Sequence, residues 1–108
     1  MITFTVWKSG HQHRGFLSEG HAEYAEEGAD IVCAAVSALT LNAVNSIEAF
    51  TDDPFQAEQA EDGGYLKVTF PEPLSAKASL LMDSLVFGIQ NIETEYGNDY
   101  ITLLFREV

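Results

Sequence analysis

One long apolar segment sets the main constraint on how this chain folds. Residues 30–50, DIVCAAVSALTLNAVNSIEAF, are rich in alanine and apolar on most sides, a pattern typical of a largely buried helix. Asp30 is a plausible N-cap, because its carboxylate can accept the unpaired N–H groups of the first helical turn. The segment therefore predicts one long helix that begins at Asp30 and ends before Thr51.

Shorter segments with a two-residue alternation precede this helix. Residues 2–7, ITFTVW, place Ile2, Phe4 and Val6 on one face, which is the pattern of a half-buried strand. Residues 14–18 predict a second, shorter strand that a turn joins to the first. The chain thus begins with a predicted β-hairpin.

Signals for three more strands and another helix follow the long apolar segment. Residues 55–61 predict a poor edge strand, and residues 65–70 predict its hairpin partner after a turn at residues 62–64. Residues 75–96 carry apolar side chains every three or four positions and predict a helix. Residues 99–108 are strongly apolar and predict a strand in the centre of the sheet.

Glycines mark two places on the second predicted helix. Gly88 lies inside it, where the missing side chain allows close packing at a cost of about 1 kcal/mol relative to alanine. Gly97 lies just beyond the helix and suits a C-terminal cap.

The predicted element order, ββαββαβ, indicates an α+β fold. Two helices and grouped strands favour a mixed sheet with both helices on one face. Residues 1–108, of which 46% are apolar, are predicted to form a single domain that buries one core without disulfides or metals. Such a sheet leaves its other face or an edge to be covered, and a homodimer would cover it.

The chain is strongly acidic, with five Lys and Arg against 17 Asp and Glu and a net charge of −12. This balance argues against direct nucleic-acid binding, which needs basic patches that replace counterions. It favours a partner that is itself basic, or it serves solubility alone.

The sequence also predicts a cytoplasmic protein without membrane contact. No uninterrupted apolar run approaches the roughly 18 residues that a membrane span needs. The first residues, MITFTVWKSG, alternate in polarity and lack the basic and apolar regions of a signal peptide.

Cys33 is the only cysteine of the chain, which excludes an intramolecular disulfide and a multi-cysteine zinc site. If Asp30 caps the helix, Cys33 falls in its first turn, where free N–H groups and the helix dipole stabilise a thiolate. The same N–H groups can receive an oxyanion. His21, in a predicted loop, can then act as the base. The alternative is that Cys33 only packs in the core and that His21 is solvated.

Two polar residues can support such a site, each with a simpler alternative. Asp30 can orient the His21 imidazole or can only cap the helix. Ser37, four residues after Cys33, lies on the same helical face. Its hydroxyl can hydrogen-bond near the thiol or to its own helix backbone.

An acidic loop between His21 and the helix is a candidate for contact with a basic substrate. It is either a solvated loop or a mobile element that handles the substrate, with glycines at its ends as hinges. The candidate substrate-loop residues are Gly20, Ala22, Glu23, Tyr24, Glu26, Glu27 and Gly28. Their negative charge opposes formation of a nearby thiolate.

A metal site built from His11, His13, His21 and Cys33 is a further alternative. Zinc accepts such ligands, but nothing in their spacing demands a metal. We therefore predict no metal and no other cofactor.

The segments SGHQH and GHAEYAEEGADIVCAAVSAL resemble the ribosomal-processing cysteine protease family, Prp. The most specific part is Gly20-His21-Ala22, followed by Gly28, Asp30 and the run IVCAAVS at residues 31–37. Length and predicted element order extend the likeness over the whole chain.

The resemblance implies a protease that removes a short N-terminal extension from large-subunit ribosomal protein twenty-seven, a basic protein, after a motif rich in Phe. It implies Cys33 and His21 as the catalytic pair, with Asp30 and Ser37 beside them. It also implies a homodimer and a mobile loop at residues 22–29. The alternative function is a non-enzymatic acidic adaptor that binds a ribosomal protein.

Overall fold

The computed structural model describes residues 1–20, 27–61 and 64–108, and of residues 27–30 it describes the backbone alone. The order of elements is ββαββαβ, as predicted. The elements are β1 (Ile2–Ser9), β2 (Gln12–Glu19), α1 (Glu27–Phe50), β3 (Gln56–Gln59), β4 (Tyr65–Thr69), α2 (Ala76–Tyr96) and β5 (Ile101–Glu107).

The strands form one mixed sheet in the order β3-β4-β2-β1-β5. Strands β1 and β5 are parallel, and the other neighbours are antiparallel. The prediction that residues 55–61 contribute an edge strand is confirmed by β3.

The prediction of a central position for residues 99–108 is wrong, because β5 is the other edge of the sheet. Its side chains reach the core only near the start of the strand: Ile101 is buried, whereas Phe105, on the same face four residues later, is 51% exposed. The Glu93 carboxylate of α2 accepts a hydrogen bond from the backbone N–H of Leu103 at 2.6 Å. A side chain thus satisfies part of the open edge, which lets an apolar strand lie there.

The core lies between the two helices and one face of the sheet. Ile2, Phe4 and Val6 of β1 are buried, as their alternation predicts, and the rings of Phe4 and Phe16 stack with centroids 5.3 Å apart. The helices contribute buried residues that include Val32, Val36, Ala43 and Ile47 of α1 and Ala78, Met82, Leu85 and Ile89 of α2.

The opposite face of the sheet, which we call the free face, is covered by no helix in the part of the chain that the structure describes. The strand register assigns to it Thr3, Thr5, Trp7, Gly15, Leu17, Glu19, Gln56, Glu58, Tyr65, Lys67, Thr69, Thr102, Leu104 and Arg106.

The two helices pack closely at Gly88 of α2. A Cβ atom at this position would lie 2.8 Å from Cδ1 of Leu39 on α1. The predicted role of Gly88 in close helix packing is therefore confirmed. Gly97 ends α2 as predicted: its φ is 89°, and its N–H donates to the carbonyl oxygen of Glu93.

Helix α1 begins earlier than the sequence predicts. It starts at Glu27 rather than after Asp30, so the prediction of Asp30 as the N-cap is wrong. Glutamate and alanine are good helix formers, and the helix extends back through residues 27–29 despite Gly28. The predicted loop at residues 22–29 is correspondingly shorter, since Glu27 and Gly28 are helical.

Residues 31–50 of α1 are long and apolar enough, by length and composition, to cross a membrane. Val32, Val36, Ala43 and Ile47, however, follow one another at helical spacing and are buried against α2 and the sheet. We therefore interpret α1 as the core helix of a globular domain, which passes the same test of composition.

Candidate active site

Cys33 is half-buried and packs against the core. It is the seventh residue of α1, about 9 Å along the axis from the first helical residue. The unpaired N–H groups of a helix are its first four, here those of residues 27–30. The predicted placement of Cys33 in the first turn is therefore wrong. Since the dipole effect falls off within that turn, the helix start acts on Cys33 less than expected.

Gly20 is the last described residue before the candidate loop. Its φ is 95°, and a Cβ atom there would collide with the backbone oxygen of Met1. Its N–H donates to the carbonyl oxygen of Gly64 at 2.9 Å. Glycine is thus needed here for backbone conformation and space, the simpler of its two predicted roles. His21, Ala22, Glu23, Tyr24 and Glu26 lie outside the described residues.

A groove of about 170 Å³ connects the end of β2 with the turn of α1 that follows Cys33. We call it the Ser37 groove. It is lined by Ser18, Val36, Ser37, Thr40, Leu41, Gln59, Tyr65 and Leu66. Ser18 precedes His21 by three residues and Ser37 follows Cys33 by four, so the groove joins the two parts of the chain that carry the predicted pair.

The exposed side of α1 next to this groove is apolar and uncharged. Residues 31–47 contain no acidic or basic side chain. Ile31 and Leu41 are 50% and 46% exposed. Ser37, which lies between them in the sequence, is also exposed. This side of the helix can contact an apolar peptide.

The sequence did not identify the groove residues of the sheet, Ser18, Gln59, Tyr65 and Leu66. Their proximity to α1 comes from the pairing of β2 with β4 and of β4 with β3. The predicted hairpin at residues 55–70 was the one signal that pointed to such pairing.

The sequence segment that contains the groove residues and Cys33 has acidic residues but no Lys or Arg. Residues 15–66 contain no Lys or Arg. The acidic residues of this segment are Glu19, Glu23, Glu26, Glu27, Asp30, Glu48, Asp52, Asp53, Glu58, Glu61 and Asp62. An acidic segment of this length favours contact with a basic partner.

The alternative metal site gains no support. His13 is 3% exposed, and its Nε2 lies 2.7 Å from Oδ1 of Asp83 on α2. Strand β2 carries the chain about 20 Å from His13 to Gly20. Among the described residues, no group of three His, Cys, Asp or Glu side chains can hold a metal ion.

Comparison with known proteins decides the family. The family model of the cysteine protease Prp matches residues 1–102. The chain belongs to the Prp cysteine protease family. It is therefore a cysteine protease, and the resemblance predicted from residues 20–37 is confirmed.

Curated relatives agree with this assignment. The ribosomal processing cysteine protease Prp of Bacillus subtilis (strain 168) is 37% identical over 106 residues, which cover 92% of this chain and 93% of that protein. The Prp of Staphylococcus aureus (strain Mu50) is 31% identical over 90 residues, which cover 83% and 84%.

Solved structures confirm the fold. The S. aureus Prp in complex with a covalently linked product peptide matches with a TM-score of 0.88 at 29% identity, over 98% of this chain and 100% of that one. The same protease with a substrate peptide matches with a TM-score of 0.90 at 28% identity and the same coverage. The predicted α+β fold is thus confirmed.

Proposed function

We propose that this cysteine protease is an endopeptidase with Cys33 as its nucleophile and His21 as its general base. One observation carries the proposal: the protease family requires a cysteine nucleophile, and Cys33 is the only cysteine in the sequence. The adaptor alternative is not retained, because the chain belongs to a family of enzymes.

The proposed reaction proceeds through an acyl-enzyme. His21 takes the proton of the Cys33 thiol, and Sγ forms a bond to the carbonyl carbon of the scissile peptide. His21 then donates this proton to the leaving amine as the C–N bond breaks. Water, deprotonated by His21, attacks the thioester, releases the carboxylate product and restores the thiol.

The Ser37 groove supports a close approach of the two catalytic residues. Three extended residues span at most about 10 Å, and one helical turn rises about 5.4 Å. With Ser18 and Ser37 on the walls of one groove, these lengths put His21 within reach of Cys33.

Asp30 is proposed to position His21. Its capping role is excluded by the start of α1 at Glu27. The other predicted role, orientation of the His21 imidazole, is left. Asp30, Cys33 and Ser37 follow one another at steps of three and four residues and so share one face of α1. A carboxylate there can accept a hydrogen bond from the imidazole and fix its tautomer.

The proposed substrate is the precursor of large-subunit ribosomal protein twenty-seven, as the family resemblance implies. An apolar cavity of about 150 Å³ can hold benzene, so the groove of about 170 Å³ has room for the ring of a substrate Phe. The acidic segment at residues 15–66 complements a basic ribosomal protein. Both features favour a Phe-rich basic substrate.

We also propose a homodimer in the cytoplasm. The family resemblance supports the dimer, and a ribosomal substrate supports the location. Sedimentation velocity should give twice the chain mass of 11.9 kDa, and cell fractionation should recover the protein with soluble proteins. A monomer at micromolar concentration, or recovery with membranes, would contradict the respective proposal.

Incubation with the ribosomal protein precursor from the same genome tests the function. Mass spectrometry should show removal of the N-terminal extension by the wild type and none by Cys33→Ala or Cys33→Ser. The matched control is Asn45→Ala, an exposed change three turns further along α1, which should cleave like the wild type. Cleavage by Cys33→Ala at the wild-type rate would exclude Cys33 as the nucleophile. An intact precursor with the wild type would exclude this substrate.

A further inference from the structure

Basic side chains of this acidic protein gather on and beside the free face of the sheet. Lys67 and Arg106 lie on it, and Arg14 adjoins it; together they are three of the five Lys and Arg residues. In the described part of the chain, none of the three forms an ion pair with a carboxylate. Glu58 is the register partner of Lys67 on β3, yet the two side chains form no ion pair. An unpaired basic cluster in a protein with a charge of −12 indicates an anion that binds from outside.

Trp7 supplies a flat platform within this cluster. A Cβ atom at Gly15 would lie 3.2 Å from Cε3 of Trp7 and would collide with the backbone oxygen of Val68. Because residue 15 is glycine, the Trp7 indole has room to lie against its backbone. Nζ of Lys67 lies 5.6 Å from the centre of the Trp7 ring, within the range of a cation–π contact.

A β-bulge brings Arg14 to the same place. Trp7 pairs with Gly15 and Lys8 pairs with His13, so Arg14 is the extra residue of β2. Bulges redirect side chains. Here His13 faces α2, where it contacts Asp83, whereas Arg14 lines a cavity with Trp7.

This cavity, which we call the Trp7 pocket, has a volume of about 500 Å³. Small-molecule sites have volumes of roughly 300–1,000 Å³. The lining residues are Trp7, Ser9, Arg14, Lys67, Thr69, Phe70 and Val108. The pocket therefore combines an aromatic platform, two cations and two hydroxyl groups in a space of ligand size.

We propose that the Trp7 pocket binds a small molecule that carries a phosphate group on a flat aromatic ring system, the chemistry of a nucleoside phosphate. A phosphate monoester carries about −1.5 to −2 charges and three strong acceptor oxygens. It thus matches the charges of Arg14 and Lys67 and the hydroxyl donors of Ser9 and Thr69. A carboxylate, with one charge, would leave one cation unmatched. The ring system stacks on the accessible part of Trp7.

The Trp7 pocket is separate from the proposed catalytic site. It shares no lining residue with the Ser37 groove. Trp7 is the register partner of Gly15, whereas Ser18, at the groove, pairs with Phe4 nearer the start of β1. Binding at the pocket therefore does not depend on Cys33, and its test is independent of protease activity.

Calorimetric titration of the full chain with adenosine monophosphate tests the proposal. Trp7 is the only tryptophan, so its fluorescence gives a second readout at the pocket. The variants are Arg14→Gln and Lys67→Gln, with Lys77→Gln as the matched control, since Lys77 is exposed at the start of α2. Further titrations use adenosine, inorganic phosphate and a single-stranded RNA oligonucleotide without terminal phosphates.

We expect saturable binding of adenosine monophosphate that changes Trp7 fluorescence. Loss of either pocket cation should raise Kd about tenfold or more, and Lys77→Gln should leave it unchanged. Adenosine and inorganic phosphate should each bind at least about tenfold more weakly, because each lacks one half of the recognised chemistry. Absence of saturable binding, equal weakening by Lys77→Gln, or equal affinity for adenosine would overturn the proposal. Tighter binding of the oligonucleotide than of adenosine monophosphate would also overturn it in favour of a nucleic-acid surface.

Discussion

At the scale of single residues, we expect the proposed reactivity of Cys33 to depend on a neighbouring base more than on its helix. Cys33 lies beyond the first turn of α1, where unpaired N–H groups and the dipole no longer act strongly. The acidic residues that precede it in the sequence are expected to oppose a thiolate. The proposed proton acceptor, His21, is therefore the main source of activation that we expect.

The His21→Ala substitution should make the thiol react like an ordinary cysteine. We expect alkylation of Cys33 by iodoacetamide at neutral pH to be clearly slower in this variant than in the wild type, because the proposed acceptor of the thiol proton is absent. The measurement is the alkylation rate by mass spectrometry across pH. The control His11→Ala, in the exposed β1–β2 turn, should match the wild type. Identical curves for His21→Ala and the wild type would show that the two residues do not interact.

His13 has a structural role that its sequence context does not reveal. Its ring is 3% exposed, its Nε2 donates to Oδ1 of Asp83, and its Nδ1 is buried without a hydrogen-bond partner among the described residues. The ring links the β1–β2 hairpin to α2. His13 thus contributes to packing between the hairpin and α2, whereas its neighbour His11 is exposed.

The Asp83→Ala substitution should lower the free energy of unfolding by about 1–3 kcal/mol, because it leaves a buried imidazole N–H without an acceptor. Chemical denaturation at pH 7 measures this loss. Ser84→Ala, at the adjacent exposed position of α2, should change stability by less than about 0.5 kcal/mol. A loss no larger for Asp83→Ala than for Ser84→Ala would mean that the hydrogen bond contributes nothing net.

At the scale of elements, a short hydrogen-bonded link joins the end of α1 to the start of α2. Thr51 Oγ1 donates to the carbonyl oxygen of Ile47 in the last turn of α1 and accepts from the N–H of Asp53. The Asp53 carboxylate accepts from the N–H and the hydroxyl of Ser75, at 2.7 and 2.6 Å. Ser75 in turn caps α2 by accepting from the N–H of Ala78. The link fixes how the two helices meet.

Stability should depend on pH through Asp53. The hydroxyl and the N–H of Ser75 hold the pKa of the Asp53 carboxyl below its ordinary value of 3.8. A carboxyl whose pKa is lowered by folding stabilises the native state above its unfolded pKa, and this contribution is lost as the pH falls through the folded value. Asp53→Asn should therefore lower stability at pH 7, and the difference from the wild type should shrink below about pH 4.

Urea denaturation of the wild type and of Asp53→Asn, at pH 7 and again below about pH 4, measures this difference in stability. Asp52→Asn, at the exposed neighbouring position, is the matched control and should show no such pH dependence. Ser75→Ala removes the cap itself and should cost about 1 kcal/mol at pH 7. A pH-independent difference between wild type and Asp53→Asn would rule out the ionised carboxylate as the source of the stabilisation.

At the scale of the whole molecule, acidic residues are concentrated in one part of the sequence. Residues 15–66 contain eleven acidic residues and no Lys or Arg, whereas Lys67 and Arg106 lie on the free face of the sheet and Arg14 adjoins it. We expect the acidic segment to attract the proposed basic substrate.

Cleavage of the basic precursor should weaken with salt. Because exposed charges are screened over about 8–10 Å at physiological ionic strength, we expect kcat/KM to fall about tenfold between low salt and 0.5 M salt, as for electrostatically steered association. The control is a peptide with the same cleavage motif and neutral flanks, whose kcat/KM should change little. Equal salt dependence for both substrates would show that the acidic surface does not guide the substrate.

The sequence by itself determined the class of fold, the order of its elements and the chemical identity of the candidate nucleophile. Alternation in residues 2–7 and helical spacing in residues 75–96 are local patterns, and the structure reproduces the buried face of β1 and the buried stripe of α2 because both depend on spacing along the chain. The motif around Cys33 likewise predicted the protease family from a short stretch.

Tertiary structure alone decided the features that depend on residues far apart in sequence. An apolar strand can lie at the centre or at an edge, and the parallel pairing with β1 and the Glu93 carboxylate placed β5 at the edge. The start of α1 at Glu27 moved Cys33 out of the first turn, a difference of four residues that local capping signals do not resolve. The Ser37 groove and the Trp7 pocket arise where separate strands and helices meet, so no local pattern could predict them.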